Sequence, residues 1–326
     1  MLYYFAPLEG LTDAIYREAH RRYFGGPDRY FAPFLSPKKD LHVDPRQLRD
    51  VLPDRNPGAL PVPQILTKDP AAFCWMAGEL AAMGYREVNL NLGCPAGTVT
   101  AKGKGAGFLR DPEGLAAFLD EICAKSPLPV SVKTRVGMTD PAEFPALLAI
   151  YNAHPLRELI VHPRVGRAFY RGPVDKAAFA LAEAESRAPL CYNGNLHTAA
   201  AVQAFAAAHP GVQAVMLGRG LIADPALVRQ LKGGAALEKT ELRAFLDELY
   251  ARYTQQFGSP QSAIRRMKGH WNYLLRRFAP DTRLERQLRK AADPVTYRLA
   301  VDAIFRQLPL LPETAGLYGT DDADLL

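Results

Sequence analysis

The sequence predicts a (β/α)8 TIM barrel followed by a small C-terminal all-helical domain, an α/β fold that rests on three observations. Eight short apolar, β-branched or aromatic runs alternate with Ala- and Leu-rich stretches, the pattern of a parallel sheet. The turn after the first run reads Pro7-Leu8-Glu9-Gly10, not the G-x-G-x-x-G of an open dinucleotide-binding sheet. After about residue 235 the alternation stops and helical periodicity continues alone.

The runs place strands at Tyr3–Ala6, Tyr30–Pro33, Val62–Leu66, Glu87–Asn91, Val130–Thr134, Leu159–His162, Leu190–Tyr192 and Ala214–Leu217. Helical stretches between them include Thr12–Tyr23, Pro70–Met83, Pro112–Ala124, Pro141–Asn152 and Thr198–Ala208. Asp69-Pro70, Asp111-Pro112 and Asp224-Pro225 are helix-start signals, with a capping carboxylate followed by a residue that needs no N–H partner. Glu241–Gln256 and Ala263–Phe278 have the spacing of amphipathic helices. The expected division is a catalytic barrel at 1–235, a helical domain at 236–311 and a flexible acidic tail at 312–326, holding Asp321, Asp322 and Asp324.

Bulk properties narrow the function classes. At 326 residues and 48% hydrophobic, the chain can fill the core of a large barrel. No apolar run reaches the roughly 20 residues that span a bilayer, and the start, MLYYFAPLEG, lacks a signal-peptide pattern. Cys74, Cys94, Cys123 and Cys191 form no C-x-x-C pair, which argues against structural zinc. The expectation is a cytoplasmic monomer with reduced thiols, no metal and no membrane contact. A net charge of +6 and a pI near 9.1 point to a polyanionic partner.

A TIM barrel carries its chemistry where the strands end. Those ends hold Pro7, Leu8 and Glu9, then Gln64, Asn91 and Cys94, then Lys133 and Arg135, His162 and Arg164, Asn193-Gly194-Asn195, and Gly218-Arg219-Gly220. The last two loops follow strands seven and eight, where such barrels hold phosphate on backbone N–H groups. Each alone reads as a tight turn; at consecutive strand ends they favour a phosphorylated cofactor. Lys133 closes the apolar run Pro129-Val130-Ser131-Val132. It suits a Schiff base, a cation beside the N1–C2 edge of a flavin, or an ammonium reaching solvent. Cys94 lies between Gly93 and Pro95; with an ordinary thiol pKa of about 8.5 it could serve as nucleophile or general acid. Residues 100–107 bring Lys102 and Lys104 among small residues without matching a phosphate-loop motif, which suggests contact with a polyanion.

These motifs resemble the tRNA-dihydrouridine synthases, FMN enzymes of barrel-plus-helical architecture, over nearly the whole chain. Ala6-Pro7-Leu8-Glu9-Gly10-Leu11-Thr12-Asp13 resembles the family's opening motif and Asn91-Leu92-Gly93-Cys94-Pro95 its catalytic-cysteine motif. Val132-Lys133-Thr134-Arg135, His162-Pro163-Arg164, Asn193-Gly194-Asn195 and Gly218-Arg219-Gly220 resemble its lysine, histidine and phosphate motifs. Arg266-Met267-Lys268-Gly269-His270-Trp271 resembles a segment of its second domain. The resemblance implies FMN held by Pro7, Leu8, Glu9, Gln64, Lys133, His162, Asn193, Gly194, Asn195, Gly218 and Arg219. It also implies Cys94 as the acid and NADPH as the transient reductant. Leu8 stands for a frequent Met, Pro163 for a usual Gly and Asn195 for a common Asp, and the lysine usual after the cysteine is displaced to Lys102 and Lys104.

The implied reaction adds hydride at C6 of uracil and a proton from Cys94 at C5, on a base extruded from its stack. Asn91, Lys133 and Arg135 are candidates for the uracil edge, with Arg164, Lys102 and Lys104 on the RNA side. Residues 261–300 carry ten Lys and Arg against three acids, Arg265, Arg266 and Lys268 among them. With Trp271 and Tyr273 interleaved, this pattern fits phosphate contact and stacking. Rival readings are an FMN barrel reducing a free pyrimidine, a dihydrouridine synthase acting on ribosomal RNA, a Schiff-base lyase, and a non-catalytic RNA-binding module.

Overall fold

The structure is a computed structural model that describes residues 1–313; from residue 314 on, the acidic tail lies outside the described residues. Eight strands form a closed barrel in sequence order, with parallel pairing between registered neighbours. They are β1 (Leu2–Phe5), β2 (Arg29–Leu35), β3 (Val62–Ile65), β4 (Val88–Leu92), β5 (Val130–Arg135), β6 (Leu159–His162), β7 (Leu190–Tyr192) and β8 (Ala214–Leu217). All eight expected strands are present, each near its expected position.

The helices are α1 (Ala14–Tyr23), the short α2 (Pro45–Leu48), α3 (Pro70–Ala82), the short α4 (Gly97–Thr100), α5 (Pro112–Lys125), α6 (Phe144–Asn152), α7 (Lys176–Glu185), α8 (Ala199–Ala208), α9 (Arg219–Ala223), α10 (Leu227–Leu231), α11 (Lys239–Phe257), α12 (Pro260–Leu274), α13 (Thr282–Lys290) and α14 (Pro294–Gln307). Asp69 and Asp111 cap α3 and α5 as their Asp-Pro pairs predict. Asp224-Pro225 differs: Asp224 accepts from the backbone N–H of Ala226 in the bend between α9 and α10. Among the described residues, no helix is long and apolar enough to cross a membrane.

The chain packs as two compact units. The first holds Met1–Pro7, Asp28–Asn195 and Ala206–Met216. Its barrel interior is lined by Tyr4, Phe31, Val62, Ile160, Cys191 and Met216. The floor, at the N-terminal ends of the strands, is ionic. Arg29 pairs with Glu87, Arg157 reaches Glu87 at 2.5 Å, and the Tyr4 hydroxyl donates to Glu158 at 2.8 Å. Buried carboxylates persist only when paired in this way. The floor serves stability and leaves the opposite end for chemistry.

The second unit joins Leu8–Pro27 and Leu196–Phe205 to the described residues from Leu217 on. Its helical core thus recruits α1 from the other end of the sequence. Rings of α1, α11 and α12 form a pillar in the order Phe257, Tyr253, His270, Tyr16, His20, with centroid spacings of 5.7, 6.0, 4.8 and 6.1 Å. Arg266 lies over Tyr253 and Phe257 at one end. Trp271, read above as a stacking surface for RNA, is instead core. It is 1% exposed, packs on Phe278 and Phe305, and donates to the Tyr297 hydroxyl at 3.1 Å.

Candidate active site

A chain of amide contacts crosses the barrel from β5 to β3. Asn89 Nδ2 donates to Ser131 Oγ (2.9 Å), Gln64 Nε2 to Asn89 Oδ1 (2.7 Å) and Asn91 Nδ2 to Gln64 Oε1 (2.6 Å). Strand alternation points Asn89 and Asn91 the same way, and register sets Gln64 beside Asn89. The network ends at Asn91 Oδ1, which accepts the backbone N–H groups of Gly93 and Cys94 at 3.0 and 2.9 Å. Asn91 was expected at the uracil edge; in the structure its Oδ1 fixes the turn that carries Cys94 while its Nδ2 donates to Gln64.

The following loop packs tightly on that turn. Ala106 N donates to Cys94 O at 3.0 Å, and a Cβ on Gly105 (φ +55) would lie 2.7 Å from Cys94 O and 3.1 Å from Cys94 Cβ. Only glycine fits there without displacing the cysteine backbone. The thiol-bearing residue is half-buried, so Cys94 is held in place yet accessible.

Two buried arginines hold the other side of the mouth. Arg135, 1% exposed, donates from Nε to Gly93 O (2.8 Å) and from Nη1 to Val165 O (3.0 Å). It thereby ties the Cys94 turn to the loop after β6. Arg164 donates twice to Gly172 O and meets His162 Nε2 at 3.0 Å. A guanidinium only donates, so His162 Nε2 accepts and its proton resides on Nδ1. The Arg135 guanidinium lies 5.5 Å from the Tyr170 ring centroid, and the His162 ring stacks on Tyr170. Tyr170 was not singled out in the sequence; the signal was the pair Phe169-Tyr170 on a loop after a polar strand end.

Lys133 is the exception to this pairing. It is half-buried at the end of β5. Among the described residues no carboxylate pairs with it. Burial, reinforced by the Arg135 cation, pushes its ammonium down to about 8, opposed by the Cys191 and Cys94 thiols. A cation left without a counter-ion in such a site fits an anionic or electron-rich ligand.

After β7, Asn193 N donates to Val161 O (2.9 Å) and its Nδ2 to Met216 O (2.7 Å), which ties β7 to its neighbours. A side chain at Gly194 would force the Tyr192 ring to move, because a Cβ would lie 2.5 Å from the Tyr192 hydroxyl. This loop therefore offers backbone rather than the Asn193 side chain. In the second unit, Gly218 caps α9, Arg219 is its first residue, and a Cβ on Gly220 would lie 2.8 Å from His197 Cα. Leu8 accepts from the N–H groups of Leu11 and Thr12 at 3.0 Å, forming a tight turn, and Glu9 is exposed. A lone lysine, a neutral imidazole and a backbone loop after β7 suit a planar, phosphorylated ring such as a flavin. Among the described residues, no group of three His, Cys, Asp or Glu could hold a metal ion.

The basic residues divide. Arg266 donates to Gly10 O, pairs with Asp13 at 3.5 Å and stacks on two rings, so its role is inside the second unit. Arg277 is buried against Asp224 at 3.3 Å. Lys268 Nζ donates to Arg289 O at 2.7 Å. Arg265, Arg283, Arg286, Arg289, Lys290 and Arg298 are exposed. Lys102 is exposed and Lys104 half-buried.

The chain is 30% identical over 313 residues to a tRNA-dihydrouridine(16) synthase of Shigella flexneri, covering 92% of this chain and 97% of that protein. It is 28% identical over 279 residues to a tRNA-dihydrouridine(20/20a) synthase of Xanthomonas campestris pv. campestris, covering 81% of each. Among solved structures, a morphinone reductase superposes with a TM-score of 0.53 at 12% identity, covering 73% of this chain and 87% of that one, a likeness of fold. The profile of the dihydrouridine synthase family matches residues 4–308, and the chain belongs to that family.

Proposed function

We propose that this enzyme reduces the C5–C6 double bond of uridines in tRNA, with FMN as its flavin and NADPH as the reductant. The observation that carries the reading is that a thiol on a braced turn after β4, Cys94, and a cation with no carboxylate partner among the described residues, Lys133 on the neighbouring strand β5, stand toward the same end of the barrel. Bound FMN would supply hydride to C6 of the uracil. Cys94 would deliver the proton to C5, completing the addition of two hydrogens. Lys133 and the Nδ1–H of His162 would stabilise the flavin ring and the charge that develops toward the uracil O4. Pro7, Gln64 and the backbone of Asn193, Gly194 and Asn195 complete the flavin contacts in the barrel unit. Leu8, Glu9, Gly218 and Arg219 enter on the family resemblance alone.

Asn91 and Arg135 act as positioning residues: Asn91 Oδ1 holds the Cys94 turn and Arg135 ties that turn to the loop after β6 through Nε and Nη1. Arg164 orients His162 in the same way. Lys102, Lys104 and the exposed arginines of α12 to α14 would meet RNA phosphates.

The test is mass-spectrometric mapping of dihydrouridine in unmodified tRNA and ribosomal RNA incubated with purified protein, FMN and NADPH. Dihydrouridine at defined tRNA positions is expected. Modification confined to ribosomal RNA, or free uridine reduced as fast as tRNA, would refute the substrate assignment.

A further inference from the structure

Lys68 follows β3 and Lys102 and Lys104 follow β4, on neighbouring loops at the C-terminal end of the barrel. The two loops touch: the Lys68 ammonium lies 3.3 Å from where a Cβ on Gly103 would sit, between the two other lysines. Gly103 (φ +65) and Gly105 (φ +55) hold left-handed bends, and Gly105 packs on the backbone of Cys94. The loop backbone is therefore held against the Cys94 turn. A carboxylate that acts on Lys104, Asp69, caps α3 by accepting from Ala72 N at 3.2 Å. Lys102 and Lys68 both act on Lys104 with like charge, against Asp69.

We propose that Lys68, Lys102 and Lys104 form a phosphate-binding subsite beside Cys94, which takes a phosphodiester of the RNA strand next to the target uridine. The proposal rests on the tRNA reading above. Like charges gather where an anion will sit between them, and ammonium groups are compact phosphate ligands. The location fits the strand: a base presented to Cys94 brings its own sugar–phosphate chain to the loop packed against that residue. Burial and the charges of Lys102 and Lys68 lower the pKa of Lys104, against the pull of Asp69, as expected of an ammonium awaiting an anion. A phosphate bound here fixes the strand next to the extruded base and so helps select the nucleotide that is reduced.

The test measures affinity of the FMN-loaded full-length protein for an unmodified tRNA transcript across a salt series. Lys68→Glu is expected to weaken binding about tenfold and Lys68→Arg to restore it. Lys68→Ala should reduce the slope of log affinity against log salt by about 0.7–0.9, one phosphate contact. Unchanged affinity and slope in Lys68→Glu and in a Lys68/Lys102/Lys104 triple alanine variant would overturn the subsite. A second reading is flavin reduction by NADPH without RNA. If that slows in Lys68→Glu while RNA affinity holds, the phosphate belongs to the nucleotide and the assignment to RNA fails. Wild-type dihydrouridine formation, followed in parallel, separates failure of the subsite from failure of the tRNA reading.

Discussion

The Tyr253 hydroxyl donates a 2.8 Å hydrogen bond to Oδ1 of Asp13, joining α11 to the start of α1 across 240 positions of sequence. The same oxygen caps α1 by accepting from Tyr16 N at 3.1 Å, and Oδ2 pairs with Arg266. One carboxylate thus serves a helix cap, a buried hydroxyl and a stacked guanidinium. Asp13→Ala removes a cap worth about 1 kcal/mol and strands a buried hydroxyl at about 1–3 kcal/mol. Tyr253→Phe removes only the hydroxyl, at about 1 kcal/mol. Urea unfolding should rank Asp13→Ala well below Tyr253→Phe; equal losses would mean the carboxylate acts through Tyr253 alone.

The ring pillar makes the helical unit acid-sensitive. Burial pushes His20 down to about 3 and His270 to about 4. Both are neutral in the fold, whereas an unfolded histidine takes a proton below about 6.5. The unfolded chain therefore binds more protons between pH 6.5 and 4, and stability falls as pH drops through that window. For His270 the loss is on the order of 3 kcal/mol. In His270→Gln, urea midpoints should fall less steeply between pH 6.5 and 4 than in the wild type. An unchanged slope would remove His270 as a source of the acid lability.

Residue types were legible in the sequence; where their hydrogen bonds go was not. The strands announced themselves through β-branched runs such as Leu159–His162, and the Asp-Pro pairs marked the starts of α3 and α5. Asn91 and Arg135 have the chemistry of substrate ligands. Only the register and the loop packing reveal that Asn91 serves the Cys94 turn and that Arg135 braces Gly93 to Val165. Trp271 and Arg277 looked like part of a basic, aromatic RNA surface. Each is instead buried by a partner that no local pattern predicts, Tyr297 and Asp224 respectively. The recruitment of α1 into the helical unit is likewise a long-range pairing, invisible to periodicity.

The basic residues of α12 to α14 should therefore separate by experiment. Arg266→Ala removes cation–π contacts and the hydrogen bond to Gly10 O, a loss of about 1–3 kcal/mol visible in thermal unfolding. Arg286→Glu with Lys290→Glu touches exposed side chains only. That pair should leave the melting curve within about 0.5 kcal/mol of wild type while weakening tRNA binding and flattening its salt dependence. The opposite pattern, with Arg266→Ala stable but defective in binding, would return Arg266 to the RNA surface.

Cys94 has the thiol, the fixed turn and the access a general acid needs, and its loss should be specific. Cys94→Ala should still take up flavin and bind tRNA, because neither task uses the sulfur. Dihydrouridine formation should fall by about 10²-fold or more, the usual contribution of a positioned acid. Full turnover in that variant, measured by mass spectrometry of the product tRNA, would place the proton donor elsewhere.

Lys133 should reveal its role through stability, without any turnover. Its ammonium is held down to about 8 by burial, against about 10.5 in an unfolded chain. Below pH 8 both states carry the charge, and the fold bears the full cost of enclosing it, on the order of 3 kcal/mol. Between pH 8 and 10.5 the unfolded chain holds the extra proton, so stability rises with pH there. Lys133→Met has similar bulk and no charge. Without flavin at pH 7, the variant should melt higher than wild type. Saturating FMN stabilises a protein in proportion to the logarithm of its affinity, so the wild type, with its cation beside the ring, should gain more. The gap should then narrow or reverse. If Lys133→Met melts lower without flavin, the ammonium already has a partner and the flavin assignment of Lys133 falls; if FMN raises both proteins equally, the ring does not sit beside it.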